Sequence, residues 1–428
     1  MRAALSGLTT RGRCFIAAGI TSTLSALGLG ERDLLRVGVL LIALPLVAAA
    51  VVARTRYLLE CERRLLPARV EAGRPSQVQL RITNVSRIPT GVLLVEDTLP
   101  YVLGGRPRFV LDRVEPRGTR EVSYAVRSDL RGRYAVGPLA VRIADPFGLV
   151  ELTRAFAAVD HLTVTPVITA LPHVRLGGDW TGGGDSRPRS VAAAGEDDVA
   201  PREYRVGDDL RRVHWRSTAR YGELMVRREE QPWQSRGTLL LDTRMRAHRG
   251  EGAGSSFEWA VSAAASLGVH LCRSGFNLTY LSDSQEPISG YGGVSDVGGG
   301  SFEGLLLDGL ATVRTSGRND LDAAIAHLRR SVGNGGLVVA VLGALSAADA
   351  QALGRIRQGG ATAVAVILDT AAWSGVAPRA QTAAHSEDDA AAHLLQRAGW
   401  RVLRAGPRAP LASVWPEAAV PASATVAT

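Results

Sequence analysis

The chain has 428 residues, enough for two or three domains with separate cores. All 50 of its Lys/Arg-class residues are arginine, the formal net charge is +9, and 46% of residues are hydrophobic. No nucleic-acid fold motif accompanies that charge, so it fits a membrane protein with juxtamembrane arginine, and nucleic acid is not expected as a partner.

Residues Cys14 to Gly30 and Val37 to Ala53 carry no charge. Each run is near the length that crosses a bilayer as a helix, and Glu31, Arg32, Asp33 and Arg36 between them leave room only for a short turn. A transmembrane hairpin over 1–56 follows, with Pro45 kinking its second helix. Arginines flank both ends (Arg2, Arg11 and Arg13 before, Arg54, Arg56, Arg63 and Arg64 after), which places both ends and the bulk of the chain in the cytoplasm. A signal peptide fits less well, because no A-x-A-like cleavage site closes the first run and a second span follows at once.

From 57 to 170 the pattern turns to period two. Val78 to Asn84, Val92 to Val95, Glu121 to Val126 and Leu139 to Ile143 read as short strands, with Gly/Pro breakers between them. A small β-sandwich, immunoglobulin-like in outline, is expected. Asp145-Pro146-Phe147-Gly148-Leu149 reads as a fixed turn with Phe147 plugging the core, in preference to a binding loop. Residues 171–201 are rich in Gly, Asp, Ser and Arg and read as a flexible linker; Gly182-Gly183-Gly184 lacks the Gly-Lys-Ser/Thr of a phosphate loop.

The next segment, 202–236, is the most distinctive. Ten charged side chains fall between Arg205 and Arg228, interleaved with Trp215 and Tyr221. Asp208 or Asp209 is placed to cap a short helix through Arg212, His214 and Trp215, Gly222 to end it, and Leu224 to Val226 to follow as a strand. Arg202, Tyr204, Gly207, Asp208, Arg211, Trp215, Ala219 and Arg220 spell R-x-Y-x-x-G-D-x-x-R-x-x-x-W-x-x-x-A-R. This run resembles the signature of a bacterial domain-of-unknown-function family, number 58. Arg131-Gly132-Arg133-Tyr134 and the Asp145 turn resemble further landmarks of that family. The resemblance implies a membrane-anchored protein related to von Willebrand factor A domains, with a MoxR-type AAA+ ATPase as partner.

After the motif, strands Gly237–Asp242, Leu278–Ser282, Gly336–Leu342, Ala363–Asp369 and Trp400–Arg404 alternate with helices Ser255–Ser274, Asp320–Arg330, Ser346–Gln358 and Glu387–Ala398. Residues 237–406 therefore read as a doubly wound α/β domain, von Willebrand A-like by resemblance. The Ala/Pro/Ser/Thr-rich stretch 407–428 reads as a disordered tail.

In such a sheet, ligands bind beyond the carboxyl ends of the strands, where Asp242 stands. The related domains begin Asp-x-Ser-x-Ser there and hold a divalent cation; this chain has arginine at 244 and 246. The metal site is thus degenerate, and Asp242 is expected to pair with Arg244 or Arg246 or to cap the following turn. Catalytic candidates are weak. His270 and Cys272 face apart on one helix, Asp197-Asp198 and Asp388-Asp389 read as solvated pairs, and His214 beside Asp208 reads as a hydrogen-bonding member of an arginine cluster. Cys14, Cys61 and Cys272 have no metal or disulfide spacing and read as small buried hydrophobes.

The expectation is a non-enzymatic membrane scaffold without cofactor or metal. Its motif serves as an internal lock of arginine forks, as a docking surface for an acidic partner, or as a contact for anionic lipid or nucleic acid. The alternative is a divalent-cation-dependent adhesion or substrate-binding protein. Self-association stays open.

Overall fold

The computed structural model describes residues 7–54, 59–145, 147–174, 202–204, 213, 215–226, 236–282, 288–291, 302–332, 336–356, 361–373 and 378–419. The flexible-linker reading from 175 on, the Asp197-Asp198 pair, and Gly207, Asp208, Asp209, Arg211, Arg212 and His214 of the motif lie outside the described residues. The chain forms two compact units, Met1–Thr169 with Arg249–Ser266 and Gly304–Thr315, and Ala170–His248 with Leu267–Glu303 and Ser316–Thr428. The later segments Arg249–Ser266 and Gly304–Thr315 group with the first unit.

The first unit opens with helices α1 (Thr10–Leu29) and α2 (Arg32–Arg54), both long and apolar enough to cross a membrane. Gly30, at φ 72°, ends α1 in the left-handed conformation and returns its N–H to the carbonyl of Ala26. Glycines let the helices close on each other. A Cβ at Gly19 would stand 2.6 Å from Ile42, and one at Gly38 would stand 2.4 Å from the Thr23 hydroxyl. The outward faces stay apolar and uncovered, with Leu24 64%, Leu27 71% and Leu40 65% exposed. Cys14 is exposed on this surface rather than buried as expected, because it lies on the outward face of α1.

Strands β1 (Leu59–Leu66), β3 (Pro75–Asn84) and β6 (Thr119–Arg127) form one antiparallel sheet. A second, ordered β5-β4-β8-β9, joins Arg108–Leu111, Leu93–Asp97, Leu139–Ala144 and Glu151–Phe156, and a third joins β2 (Arg69–Glu71), β10 (Asp160–Thr165) and β7 (Gly132–Val136). Strict alternation in β3 turns Val78, Leu80 and Ile82 inward, where they meet Val95, Val141, Ile143, Leu162 and Val164 in one core. The buried Arg63 guanidinium bonds Asp97 at 2.7 Å, Asp160 at 3.1 Å and the Val136 carbonyl at 3.0 Å, satisfying charges that would be costly alone.

Arg131, between β6 and β7, explains the added segments. Its buried guanidinium pairs with Glu258 at the start of helix α4 (Ser256–Arg273) and stacks 5.2 Å over Phe257. It also donates to the carbonyls of Leu310 at 2.8 Å and Val313 at 2.5 Å, capping the end of helix α5 (Phe302–Thr312).

The second unit is built on a six-stranded sheet ordered β15-β14-β13-β16-β17-β18, in which β13 (Arg236–Leu241), β14 (Asn277–Ser282), β16 (Leu337–Leu342), β17 (Thr362–Leu368) and β18 (Arg401–Ala405) run parallel. The edge strand β15 (Ile288–Tyr291) is antiparallel. Central strand β16 is apolar and buried throughout because both faces are covered. Leu328 of helix α6 (Asp322–Val332), Leu353 of α7 (Ala347–Gly354) and Leu395 of α8 (Pro378–Arg397) pack on this sheet with Trp400. The disordered-tail reading is corrected over its first part. Leu411–Val414 is helical, and Leu411, Val414, Trp415 and Ala418 are buried at the i, i+3, i+4, i+7 spacing of one helical face.

Candidate functional site

The carboxyl end of β13 carries a buried ionic cluster. Asp242 leaves the strand with no exposure, and the chain then turns into a short 3-10 helix at Met245–Ala247. That turn folds the Arg244 side chain back onto its own neighbour. Arg244 donates through Nε to Asp242 Oδ1 at 3.0 Å and through Nη2 to Asp242 Oδ2 at 2.8 Å, a two-pronged pairing. Its Nη1 reaches Asp349 Oδ2 at 2.9 Å, and Nη2 also donates to the Ala344 carbonyl at 3.3 Å. Asp242 also accepts the backbone N–H groups of Arg244 at 3.1 Å and Gly343 at 3.3 Å. A Cβ at Gly343 would lie 2.2 Å from the Ala247 carbonyl, so only glycine lets the end of β16 approach this closely. His248 Nε2 lies 2.8 Å from the Asp242 carbonyl oxygen.

The sequence left the partner of Asp242 open between Arg244 and Arg246, and the structure selects Arg244. Asp349 was missed, although Ser346-Ala347-Ala348-Asp349 is a capping-box pattern: Ser346 Oγ accepts from Asp349 N at 3.2 Å and donates to Asp349 Oδ2 at 2.8 Å. Burial works against the charge on Arg244, but bonds from Asp242 and Asp349 outweigh it and raise the guanidinium pKa further. Asp349 is lowered: burial pushes it up, while Ser346 and then Arg244 hold the carboxylate ionised. A guanidinium so held neither gives nor takes a proton, so the cluster is a fixed ionic clasp. Among the described residues no group of three or more His, Cys, Asp or Glu side chains is arranged to hold a metal ion.

The signature segment is a different kind of surface. Arg202–Glu203 pairs antiparallel with Met225–Val226, and Tyr204 N–H donates to the Leu224 carbonyl at 2.8 Å. Helix α3 (Trp215–Tyr221) lies between these strands in sequence. It ends at Gly222 (φ 76°), whose N–H returns to the Thr218 carbonyl at 2.9 Å. Thr218 Oγ1 also accepts from Met225 N at 3.0 Å and ties the helix to the second strand. Val213 is buried, Tyr204 is half-buried, and Ala219 and Arg220 are exposed. Trp215 is 71% exposed and Tyr221 64%, so neither aromatic ring serves as a core plug.

Other expectations are corrected by position. Phe147 is 63% exposed, and Leu149 is the apolar residue of its turn that is buried. Asp388 is buried rather than solvated and accepts from Leu345 N at 3.4 Å, while Asp389 pairs with Arg404. The His270 ring faces His173, 5.4 Å away, and Trp415, 6.0 Å away; burial and then the His173 charge lower its pKa. Burial pushes the Cys272 thiol up to about 11, far from a reactive thiolate.

Two apolar N-terminal helices, a β-sheet region and a parallel α/β sheet define the class of protein. Residues 200–372 match the family described as protein of unknown function DUF58, which supports the family suggested by the motif. No curated protein matches the chain. Among solved structures, the CARDB domain of the PF1109 protein from Pyrococcus furiosus is 13% identical, with 26% of this chain and 90% of that one covered and a TM-score of 0.19. The putative ApaA protein from Bordetella pertussis is also 13% identical, covering 25% of this chain and 92% of that one at a TM-score of 0.20. Likenesses this weak say nothing about function.

Proposed function

We propose that this is a membrane-anchored, non-enzymatic scaffold with its bulk in the cytoplasm, and that helix α3 is its docking surface for a protein partner. The observation carrying the reading is the exposure of Trp215 and Tyr221 beside the exposed Arg220. Tryptophan, tyrosine and arginine dominate binding hot spots, and two large rings left in water are a standing cost that a partner would relieve. The uncovered apolar faces of α1 and α2 favour the membrane anchor, and the arginines at both ends of the hairpin favour the cytoplasmic side.

The parallel sheet is read as von Willebrand A-like, with Arg244 standing where a cation would bridge carboxylates. The expected partner is a MoxR-type AAA+ ATPase, working with this protein on a membrane or envelope complex. That partner comes from the motif at Arg202 to Arg220. The clasp of Asp242 and Asp349 on Arg244 weighs against the cation-dependent adhesion reading. A photo-crosslinking residue at position 221 tests the proposal in cells of the source organism. A crosslink to the ATPase supports it, and crosslinks only within the chain or to lipid argue against it.

A further inference from the structure

The Asp145 turn is fastened to the open end of the α1–α2 pair. Thr9, the N-cap of α1, donates its N–H to the Leu149 carbonyl at 3.0 Å and its hydroxyl to the Gly148 carbonyl at 2.7 Å. Leu8 and Val150 form an antiparallel bridge, and Glu151 N–H donates to the Gly7 carbonyl at 2.8 Å. A Cβ at Gly12 would stand 2.3 Å from the Leu149 carbonyl oxygen, so the turn lies directly on the first turn of α1. Leu149 and Val150 pack with Ala48, Ala49 and Leu44 of α2. The turn thus sits where both apolar helices approach their open end.

The turn is also rigid and turned inward on its polar side. The buried Asp145 carboxylate accepts from Phe147 N–H at 3.0 Å and Val150 N–H at 2.6 Å. Among the turn's described residues, the large outward side chain is Phe147, 63% exposed. Exposed Arg11 and Arg13 lie on the first turn of α1, and Arg11 Nη1 is 3.8 Å from where a Cβ on Gly148, the residue after Phe147, would be. An exposed apolar ring on a turn that abuts the arginine-bearing end of two apolar helices fits the boundary of a lipid headgroup layer, where the ring enters apolar surroundings and the arginine meets anionic headgroups.

We infer that the turn rests in that layer, with the Phe147 ring inserted beside the helices, so that the β unit is held against the bilayer rather than swinging on a tether. The inference rests on the reading of α1 and α2 as membrane spans. It gives Phe147 the role that the core could not.

The test uses nitroxide labels on the full chain in vesicles of phosphatidylethanolamine and phosphatidylglycerol. Cys14 is exposed and Cys61 half-buried, so both are replaced by serine, and the signal of that background protein, which keeps the buried Cys272, is subtracted. Labels go on Phe147→Cys, on Ile20→Cys within α1, and on Tyr101→Cys. Tyr101 is 96% exposed just beyond Asp97, which pairs with Leu139 at the far end of β8, about 17 Å from the turn at about 3.3 Å per residue. The expected result is an oxygen-to-nickel-complex accessibility ratio several-fold higher at 147 than at 101, and higher still at 20. A lipid-like ratio at 20 with a water-like ratio at 147 overturns the inference and leaves the spans standing. Water-like ratios at both 20 and 147 overturn both. An unchanged melting temperature for each variant keeps the comparison on folded protein.

Discussion

Replacing Arg244 by methionine is the sharpest test of the ionic clasp. The substitution keeps most of the side-chain volume and removes the bonds to Asp242, Asp349 and the Ala344 carbonyl. Two buried carboxylates then face each other without a cation, a change of the kind that costs about 3–5 kcal/mol. At ~2–4 °C per kcal/mol for a unit of this size, the melting temperature should fall by about 10 °C at pH 7. The pH dependence should also reverse. In the intact protein Asp349 titrates below its ordinary 3.8, so its contribution is present above about pH 4 and is lost as pH falls through the folded pKa. In the variant Asp349 loses the guanidinium that helps hold it ionised while its burial remains, so its pKa rises, protonation relieves the penalty, and acidification from about pH 7 to 5 should raise the melting temperature. Scanning calorimetry over that range reads both effects. A shift under about 2 °C with an unchanged pH slope would show that the clasp contributes little to stability.

Arg131→Ala strips Glu258 and the carbonyls of Leu310 and Val313 of their donor, and should cost about 2–3 kcal/mol in denaturant melts. Arg131→Lys should rescue it poorly, since an ammonium cannot span the same fork. Trp415→Ala, in the supposed tail, should cost about 3–5 kcal/mol because the indole is fully buried; an unchanged melt would return that stretch to disorder. Millimolar magnesium or EDTA should leave the melting temperature of the intact protein unchanged, because the guanidinium already holds both carboxylates. Magnesium stabilisation would favour the cation-dependent reading.

The parallel strands were legible because a strand covered on both faces must be apolar without alternation, as Leu337–Leu342 and Thr362–Leu368 are. The β half was legible for the opposite reason, since one buried face imposes the strict alternation of Val78, Leu80 and Ile82. Helix Phe302–Thr312 was not, because its end is satisfied by Arg131, a residue far away in sequence. The helical face of Leu411, Val414, Trp415 and Ala418 was hidden by the composition around it, though its spacing was there to read. Local sequence could not choose between Arg244 and Arg246, since the choice depends on Asp349, which the fold brings in from more than a hundred residues away. Nor could it show that Leu149 rather than Phe147 fills the core, because burial there is set by helices α1 and α2.

Binding affinity separates a partner surface on helix α3, as proposed, from an internal lock. The direct measurement is the affinity of a purified MoxR-type ATPase, with a non-hydrolysable ATP analogue, for the full chain in nanodiscs, intact and as Trp215→Ala with Tyr221→Ala. The double variant should melt within about 0.5 kcal/mol of the intact protein and bind at least about tenfold more weakly, as loss of more than about 1.4 kcal/mol of hot-spot energy requires. A variant that binds as tightly as the intact chain, or one that loses several kcal/mol of stability, would contradict the proposed partner surface.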